Sequence, residues 1–361
     1  MTVIRCVTMQ KNEATLLEPW ILWHGAIFGL SNLTVVDNGS TDPHVKDVQK
    51  RYEAQGVQII RKYRSQKDFL RKGEIFTDII RGWDAENACD FALPMDCDEF
   101  LAFFLDRLSV DPAEIRAQFE LLKDEQATLI TDRLLLNVPN APSYYRPQSV
   151  PRALFKAHTI VGLDRGLHAP QTIYPERCVR TPFVHLHLHN RPDYEDIRRF
   201  ARQKLAHIAG AIPGEKPRAG QITPENPKEG YHLRYYFQAS QEDFLRSYLH
   251  TPDIYAPVIA DHFRALGVDP APILGDTSAP QFPVHVPQNF LAHRRLEDGS
   301  QHEYGLFDPL AYAYENEDVV KDAFYGIWPL IHYMDAGWRE GRRPNANGMA
   351  PFLLQAAVPT V

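Results

Sequence analysis

A chain of 361 residues, 44% of them hydrophobic, is long enough to bury a sizeable core as one large domain or two smaller ones. Its net charge of −7 comes with no basic block to follow a phosphate backbone, which argues against nucleic acid as a partner and favours a small or carbohydrate substrate. The start MTVIRCVTMQKNE lacks the pattern of a secretory leader, and the longest apolar run of the first half, WILWHGAIFGL, falls far short of the roughly 20 residues a membrane span requires; the expectation is a cytoplasmic protein without a transmembrane segment, free to work at the inner face of the membrane.

TVIRCVT (2–8) is short and β-branched and reads as a strand. EATLLEPWILWHGAIF carries apolar groups at helical spacing, with Pro19 tolerable in a first turn. NLTVVD (32–37) is the second strand, and the helix after it has Asp42 as N-cap, Pro43 at its first position and Gly56 as its stop. VQII (57–60) is a third strand, 66–83 a third helix and DFALPM (90–95) a fourth strand. Asp111 and Pro112 open another helix, and ATLITDRLLL (127–136) is a further strand. This is the βαβα order of an α/β fold, a mostly parallel Rossmann-like sheet flanked by helices. Cys6, Cys89, Cys97 and Cys178 show no metal or disulfide spacing and are expected to be reduced.

Beyond residue 140 the chain is richer in proline and arginine. A proline-rich, aperiodic loop covers 205–230, SQEDFLRSYL and APVIADHFRALG read as amphipathic helices, and a linker (268–290) leads to the tail FDPLAYAYENEDVVKDAFYGIWPLIHYMDAGWREGRRP. The division expected is a catalytic α/β domain (1–205), a region of loop, helices and linker (206–290) and a helical C-terminal module (291–361).

Ligands of such sheets bind outside the carboxyl ends of the strands. Three polar clusters fall there: KNE (11–13), DNGSTD (37–42) and DCDE (96–99). If strand geometry persists through Asp96 and Asp98, both carboxylates point to one side, as hard oxygen ligands for Mg²⁺ or Mn²⁺. The competing reading is an acidic turn capping a helix that begins at Glu99. Asp37, followed by Asn38, Gly39 and Ser40, offers a turn whose amides can face a ligand, or simply the approach to a helix cap. In VHLHLHN (184–190) strand alternation puts His185, His187 and His189 on one face, a row that does not suit a buried core and fits either a metal or a solvent-facing strand, the metal preferred. Of Arg191, Arg198, Arg199, Arg202 and Lys204, most suit a solvated helix face; Arg191, beside the histidines, is the candidate for a phosphate.

KNE with W..WH and a following glycine, VVDNGSTD, and MDCDEFL, in that order and spacing, resemble the GT-A type glycosyltransferases, in particular the family 2-like group with a D-x-D-E-F motif, related to glycosyltransferase family 92. The resemblance covers about residues 2–205. The tail resembles a short helical module attached to bacterial glycosyltransferases and surface-polysaccharide proteins.

The resemblance implies that Asn12, Glu13 and Asp37 surround the base and ribose of a sugar nucleotide, with Ser40 in the same turn. It implies Asp96 near ribose and metal, Asp98 as direct ligand to Mn²⁺ or Mg²⁺, and a histidine, His187 foremost among the three, as the other protein ligand. Cys97, between the aspartates, is expected to point away. The implied function is metal-dependent, inverting transfer of a sugar from a nucleoside diphosphate, UDP favoured, to a glycan or lipid-linked glycan in surface-polysaccharide synthesis. Asp164 in GLDRGLH is the preferred catalytic base over Asp132 in LITDRL. The alternatives are a metal-dependent hydrolase built on the His185, His187 and His189 row, and a non-catalytic module of a polysaccharide-assembly complex.

Overall fold

The computed structural model describes residues 2–104, 108–139, 141–148, 150–209, 231–246, 252–276, 291–295, 302–306, 309–322, 325 and 329–343. The proline-rich stretch 210–230, the linker 277–290 and the last residues, 344–361, lie outside the described residues.

The first half follows the expected alternation. Strand β1 (Ile4–Gln10) leads to helix α1 (Leu17–Phe28), β2 (Leu33–Asp37), α2 (Pro43–Glu53), β3 (Gln58–Ile60), α3 (Gln66–Leu70), α4 (Lys72–Ala85) and β4 (Phe91–Pro94). β1 sits between β2 and β4, parallel to both, and β2 carries β3 in parallel. The carboxyl ends of β1, β2 and β4 therefore open on one edge of the sheet. Asp42 caps α2 as expected, accepting from the amides of His44 and Val45, with Pro43 next. The helix expected over 66–83 is two helices that break at Arg71, the first closed by a reciprocal Ser65 and Asp68 capping box.

The next elements are β5 (Glu99–Phe104), β6 (Leu108–Ser109), α5 (Pro112–Leu121), β7 (Thr128–Val138), β8 (Ala141–Gln148), β9 (Arg152–Lys156), the small β10 (Ile160–Gly162) and β11 (Gln171–Thr172) pair, and β12 (Cys178–His187). Glu99 thus starts a strand, so the reading of Asp96 and Asp98 as the cap of a helix is excluded. β9 runs antiparallel to both β4 and β7 and joins the two halves of the sheet. β12 lies between β7, parallel to it, and β5, antiparallel, with His187 opposite Glu99. The result is a mixed sheet with a parallel core and helices against it.

Helices α6 (Tyr194–Ala209), α7 (Tyr231–Gln238) and α8 (Gln241–Arg246) follow, then β13 (Pro252–Tyr255), α9 (Val258–Ala265), α10 (Ala271–Leu274), β14 (Leu291–Arg295) and β15 (His302–Leu306). β13 pairs with β8, β14 with β13 and β15 with β14, so strands from beyond residue 250 extend the same sheet. Only the tail proper is helical, with α11 (Pro309–Glu315), α12 (Glu317–Lys321), α13 (Pro329–His332) and a π-helical turn at Tyr333–Gly337. Asp335 of that turn forms a two-pronged ion pair with Arg133 of β7, whose side chain is buried.

One large core cluster joins α1 to the sheet. Trp20, Trp23 and Phe28 of α1 pack with Phe91, Phe100 and Phe119. Polar contacts fix the register of this packing: Trp23 Nε1 donates to the carbonyl of Leu101 (2.9 Å), and His24 Nε2 accepts the Leu101 amide (3.2 Å) while its Nδ1 donates to the Trp20 carbonyl (2.9 Å). That pattern requires a neutral imidazole, and burial pushes the His24 pKa down to about 3. None of the four cysteines is joined in a disulfide among the described residues, and three of them are buried. Among the described residues no helix is long and apolar enough to cross a membrane.

Candidate active site at the carboxyl edge of the sheet

The first two polar clusters meet as the parallel topology requires. Gln10 Nε2 donates to Asp37 Oδ1 (3.0 Å) and Ser40 Oγ (3.2 Å), and Asn12 Oδ1 accepts the amides of Thr41 (2.7 Å) and Asp42 (2.9 Å). Asp37 also takes the Ser40 amide at 3.1 Å. Asn12, Asp37 and Ser40 are therefore occupied in shaping the loop, and Gly39 permits it with φ of 79°. Asn38 bonds the carbonyls of Tyr63 and Ser65, tying the next loop to the same edge.

A cleft of about 720 Å³, counting its open mouth, lies at this edge. Gln10, Lys11, Glu13 and Asn38 form one wall; Phe69 and Lys72 come from α3 and α4; Asp96, Cys97 and Asp98 lie between β4 and β5; Phe200, Gln203 and Lys204 of α6 close the far side. Because β4 ends at Pro94, Asp96 and Asp98 sit on a turn, and the two-residue alternation expected of a continuing strand does not hold. Asp96 pairs with Lys72 Nζ at 2.6 Å. Cys97, expected to point away, is among the cleft residues, although its side chain is mostly buried.

Asp98 is joined by His187 and His189. Its Oδ2 lies 3.4 Å from His187 Nε2 and 3.6 Å from His189 Nδ1, and one ligand atom from each of the three lies within 4.8 Å of the others. Burial opposes charge on Asp98, but His187, His189 and Lys204 outweigh it and hold the carboxyl well below its usual range. Burial pushes His189 down to about 4, so its imidazole is neutral and has a free lone pair at physiological pH. The donor set fits a divalent transition metal ion, with two imidazoles and one carboxylate.

His185 is not part of this group. It is fully buried and faces Glu99 (Nδ1 to Oε2 3.4 Å), whose other oxygen takes Arg152 Nε at 2.7 Å. The sequence argument that a buried strand does not carry imidazoles fails here because β12 is covered on both sides and its histidines face carboxylates from the neighbouring turn and strand. Burial disfavours the Glu99 charge, yet Arg152 and His185 prevail and keep its carboxyl well below the usual range. Glu99 Oε2 also accepts the Asp96 amide (3.2 Å), so this buried network braces the aspartate turn from behind. Arg152 further contacts His168.

Arg191, the expected phosphate contact, pairs with Glu13 (3.0 Å) and donates to the Leu188 carbonyl (3.2 Å). Burial raises the Glu13 pKa, Arg191 partly offsets this, and the nearby Asp98 charge adds to it. Asp164 holds its own loop: its carboxylate accepts from the amides of Gly166 (2.8 Å), His168 (2.7 Å) and Ala169 (2.7 Å). That loop is pressed on α4, where a Cβ at Gly73 would meet the Leu163 carbonyl and the Asp164 backbone. The side chain of Asp132 lies outside the described residues.

Two cleft lysines, Lys72 and Lys204, are not among the residues the sequence assigns to the site. Lys204 lies in a stretch expected mostly on a solvated helix face, but Ile197, Ala201 and Leu205 are buried, and Phe200, Gln203 and Lys204 form the adjacent stripe at i, i+3 and i+4, which is the signal that places them in the cleft. Lys72 carries no comparable signal.

No family model matches the sequence, and no curated protein matches it. Among solved structures, the chain is similar to S. aureus TarS 1-349, with 11% identity over 68% of this chain and 73% of that one and a TM-score of 0.32. It is similar to the same protein in complex with UDP, with 13% identity over 68% and 75% and a TM-score of 0.32. A third similarity is to glucosyl-3-phosphoglycerate synthase from Mycobacterium tuberculosis in complex with Mg²⁺ and UDP, with 19% identity, 37% of this chain, 44% of that one and a TM-score of 0.23. The chain spans less than half the length of that synthase.

Proposed function

We propose that this chain is a glycosyltransferase that moves a sugar, with inversion, from a nucleoside diphosphate, UDP first among them, to a hydroxyl of a glycan or lipid-linked glycan, with the surface polysaccharides of bacteria as the setting. One observation carries the reading: Asp98 lines a cleft at the carboxyl edge of the parallel core, together with Lys11, Lys72 and Lys204, and His187 and His189 converge on that same Asp98. The ordered motifs in residues 2–205 support it.

Departure of a diphosphate leaves charge that must be stabilised in the transition state. Asp98, His187 and His189 would hold a divalent cation, which would supply that stabilisation. Lys72 and Lys204 add positive charge on either side, and Asp96 keeps Lys72 in place in the resting cleft. Phe69 and Phe200 give the cleft apolar faces for a base or sugar ring. The three-histidine hydrolase has less support, because His185 faces Glu99 rather than Asp98.

A thermal-shift panel of UDP, GDP, CMP and dTDP, each with and without Mn²⁺, tests the proposal. Stabilisation by one nucleoside diphosphate that needs Mn²⁺ and disappears in Asp98→Ala is expected. No response to any nucleotide, with a shift from Zn²⁺ alone, would favour the hydrolase.

A further inference from the structure

We propose that Tyr236 positions His189 as a further protein ligand beside Asp98 and His187, and that with this second imidazole the site takes a borderline divalent ion such as Mn²⁺, Fe²⁺, Co²⁺ or Zn²⁺ without nucleotide. The inference takes its metal dependence from the reading above. It departs from a cleft in which two carboxylates and the substrate's own phosphates hold Mg²⁺.

His189 supplies the first argument. Its side chain is 8% exposed, and Nδ1 has no hydrogen-bond partner. Buried ring nitrogens are normally satisfied, so an orphan aimed at a carboxylate oxygen calls for a ligand. The gap of 3.6 Å to Asp98 Oδ2 is too long for a hydrogen bond. It suits two ligands of one ion: metal bonds of about 2.1 Å at tetrahedral angles place ligand atoms about 3.4 Å apart. The 3.4 Å from Asp98 Oδ2 to His187 Nε2 fits the same geometry.

The second argument is the other side of the ring. His189 Nε2 lies 3.1 Å from the Tyr236 hydroxyl of α7. A metal-bound imidazole donates its remaining N–H to a partner that fixes tautomer and orientation. With Nε2–H donated to the Tyr236 oxygen, the lone pair is on Nδ1, facing Asp98. Phe200 meets the same ring edge-on at 5.5 Å, so its rotation is restricted.

Preorganisation supplies the third. The Leu188 amide donates to the Asp98 carbonyl at 2.8 Å, and Glu99 sits opposite His187 in the strand register. The two segments that carry the ligands are thus tied backbone to backbone, without any substrate. Two imidazoles also favour transition metals over Mg²⁺, which prefers oxygen.

The test is a titration of the metal-free full chain with Co²⁺, followed by visible absorption and by calorimetry, with and without UDP, for wild type, His189→Ala and Tyr236→Phe, with circular dichroism on each. Wild type is expected to bind Co²⁺ without UDP, develop d–d bands and resist displacement by millimolar Mg²⁺. Tyr236→Phe, which removes one oxygen and keeps the ring, is expected to fold normally and bind Co²⁺ about tenfold or more weakly. His189→Ala is expected to lose more and to change the band shape. Co²⁺ binding that appears only with UDP overturns the proposal and leaves the transferase reading standing. Wild-type affinity in folded Tyr236→Phe overturns the role of Tyr236. Tight nucleotide-free binding with no response to any nucleotide upholds the proposal and tells against the transferase.

Discussion

Replacing Arg152 with methionine isolates the buried network behind the aspartate turn. Glu99 is fully buried and Arg152 is 4% exposed, with Nε 2.7 Å from Oε1. Methionine keeps most of the volume but leaves Glu99 with only His185 and the Asp96 amide. Breaking a buried pair by removing one partner costs about 3–5 kcal/mol, because the remaining charge is uncompensated. Against a typical total of about 5–15 kcal/mol this is a large loss. Urea unfolding at pH 7 measures it, and Glu99→Gln/Arg152→Met should recover part of the loss since no charge is stranded. The pH dependence follows from the direction of the Glu99 shift. A carboxyl held below its unfolded value of about 4.3 stabilises the fold above that pH and ceases to do so as pH falls through the folded value. In Arg152→Met, Glu99 takes up a proton more readily, so the gap between variant and wild type should narrow in acid. A loss under about 1 kcal/mol, or a double variant whose loss equals the sum of the single ones, would refute the reasoning.

The pKa of His24 in the fold is about 3, against about 6.5 unfolded, so its contribution is present above about pH 6.5 and falls away as the unfolded chain gains a proton that the native one refuses. That amounts to about 2 kcal/mol lost between pH 7.5 and 5, and urea series of wild type and His24→Gln should differ by this slope; equal slopes would contradict it. Asp164→Ala should lower stability by about 1–3 kcal/mol by orphaning loop amides while kcat changes by only a few fold; a kcat loss above about a hundredfold at unchanged stability would instead make Asp164 the base. Lys204→Ala should weaken nucleotide binding by about tenfold or more, as expected for a lost charge-assisted contact, and leave the fold intact by circular dichroism; unchanged affinity would remove Lys204 from the donor site.

The βαβα half of the fold was legible because its signals are local: Asp42 and Pro43 start a helix, and short β-branched runs alternate with amphipathic ones. The convergence of KNE, DNGSTD and DCDE followed from parallel topology alone. What the sequence obscured depends on contacts between distant elements. The face of an imidazole in HLHLH is set by which carboxylate approaches it, so His185 went to Glu99 while His187 and His189 went to Asp98. The hydrogen bonds by which Asn12, Asp37 and Ser40 tie two loops together become visible only in three dimensions, because turn-forming side chains and ligand-binding ones are the same residue types. β13 lies in the stretch expected to be loop, helices and linker, and its partner β8 is more than a hundred residues back; β14 and β15 lie in the expected helical module and build outward from it.

The measurement that tests the central claim most directly is a crystal structure of the protein grown with MnCl₂ and UDP, with anomalous data at the manganese edge. The account expects one manganese peak among Asp98, His187 and His189, with the diphosphate in the remaining coordination positions between Lys72 and Lys204. A nucleotide bound away from this cleft, or a metal ion that Asp98 does not touch, would contradict it.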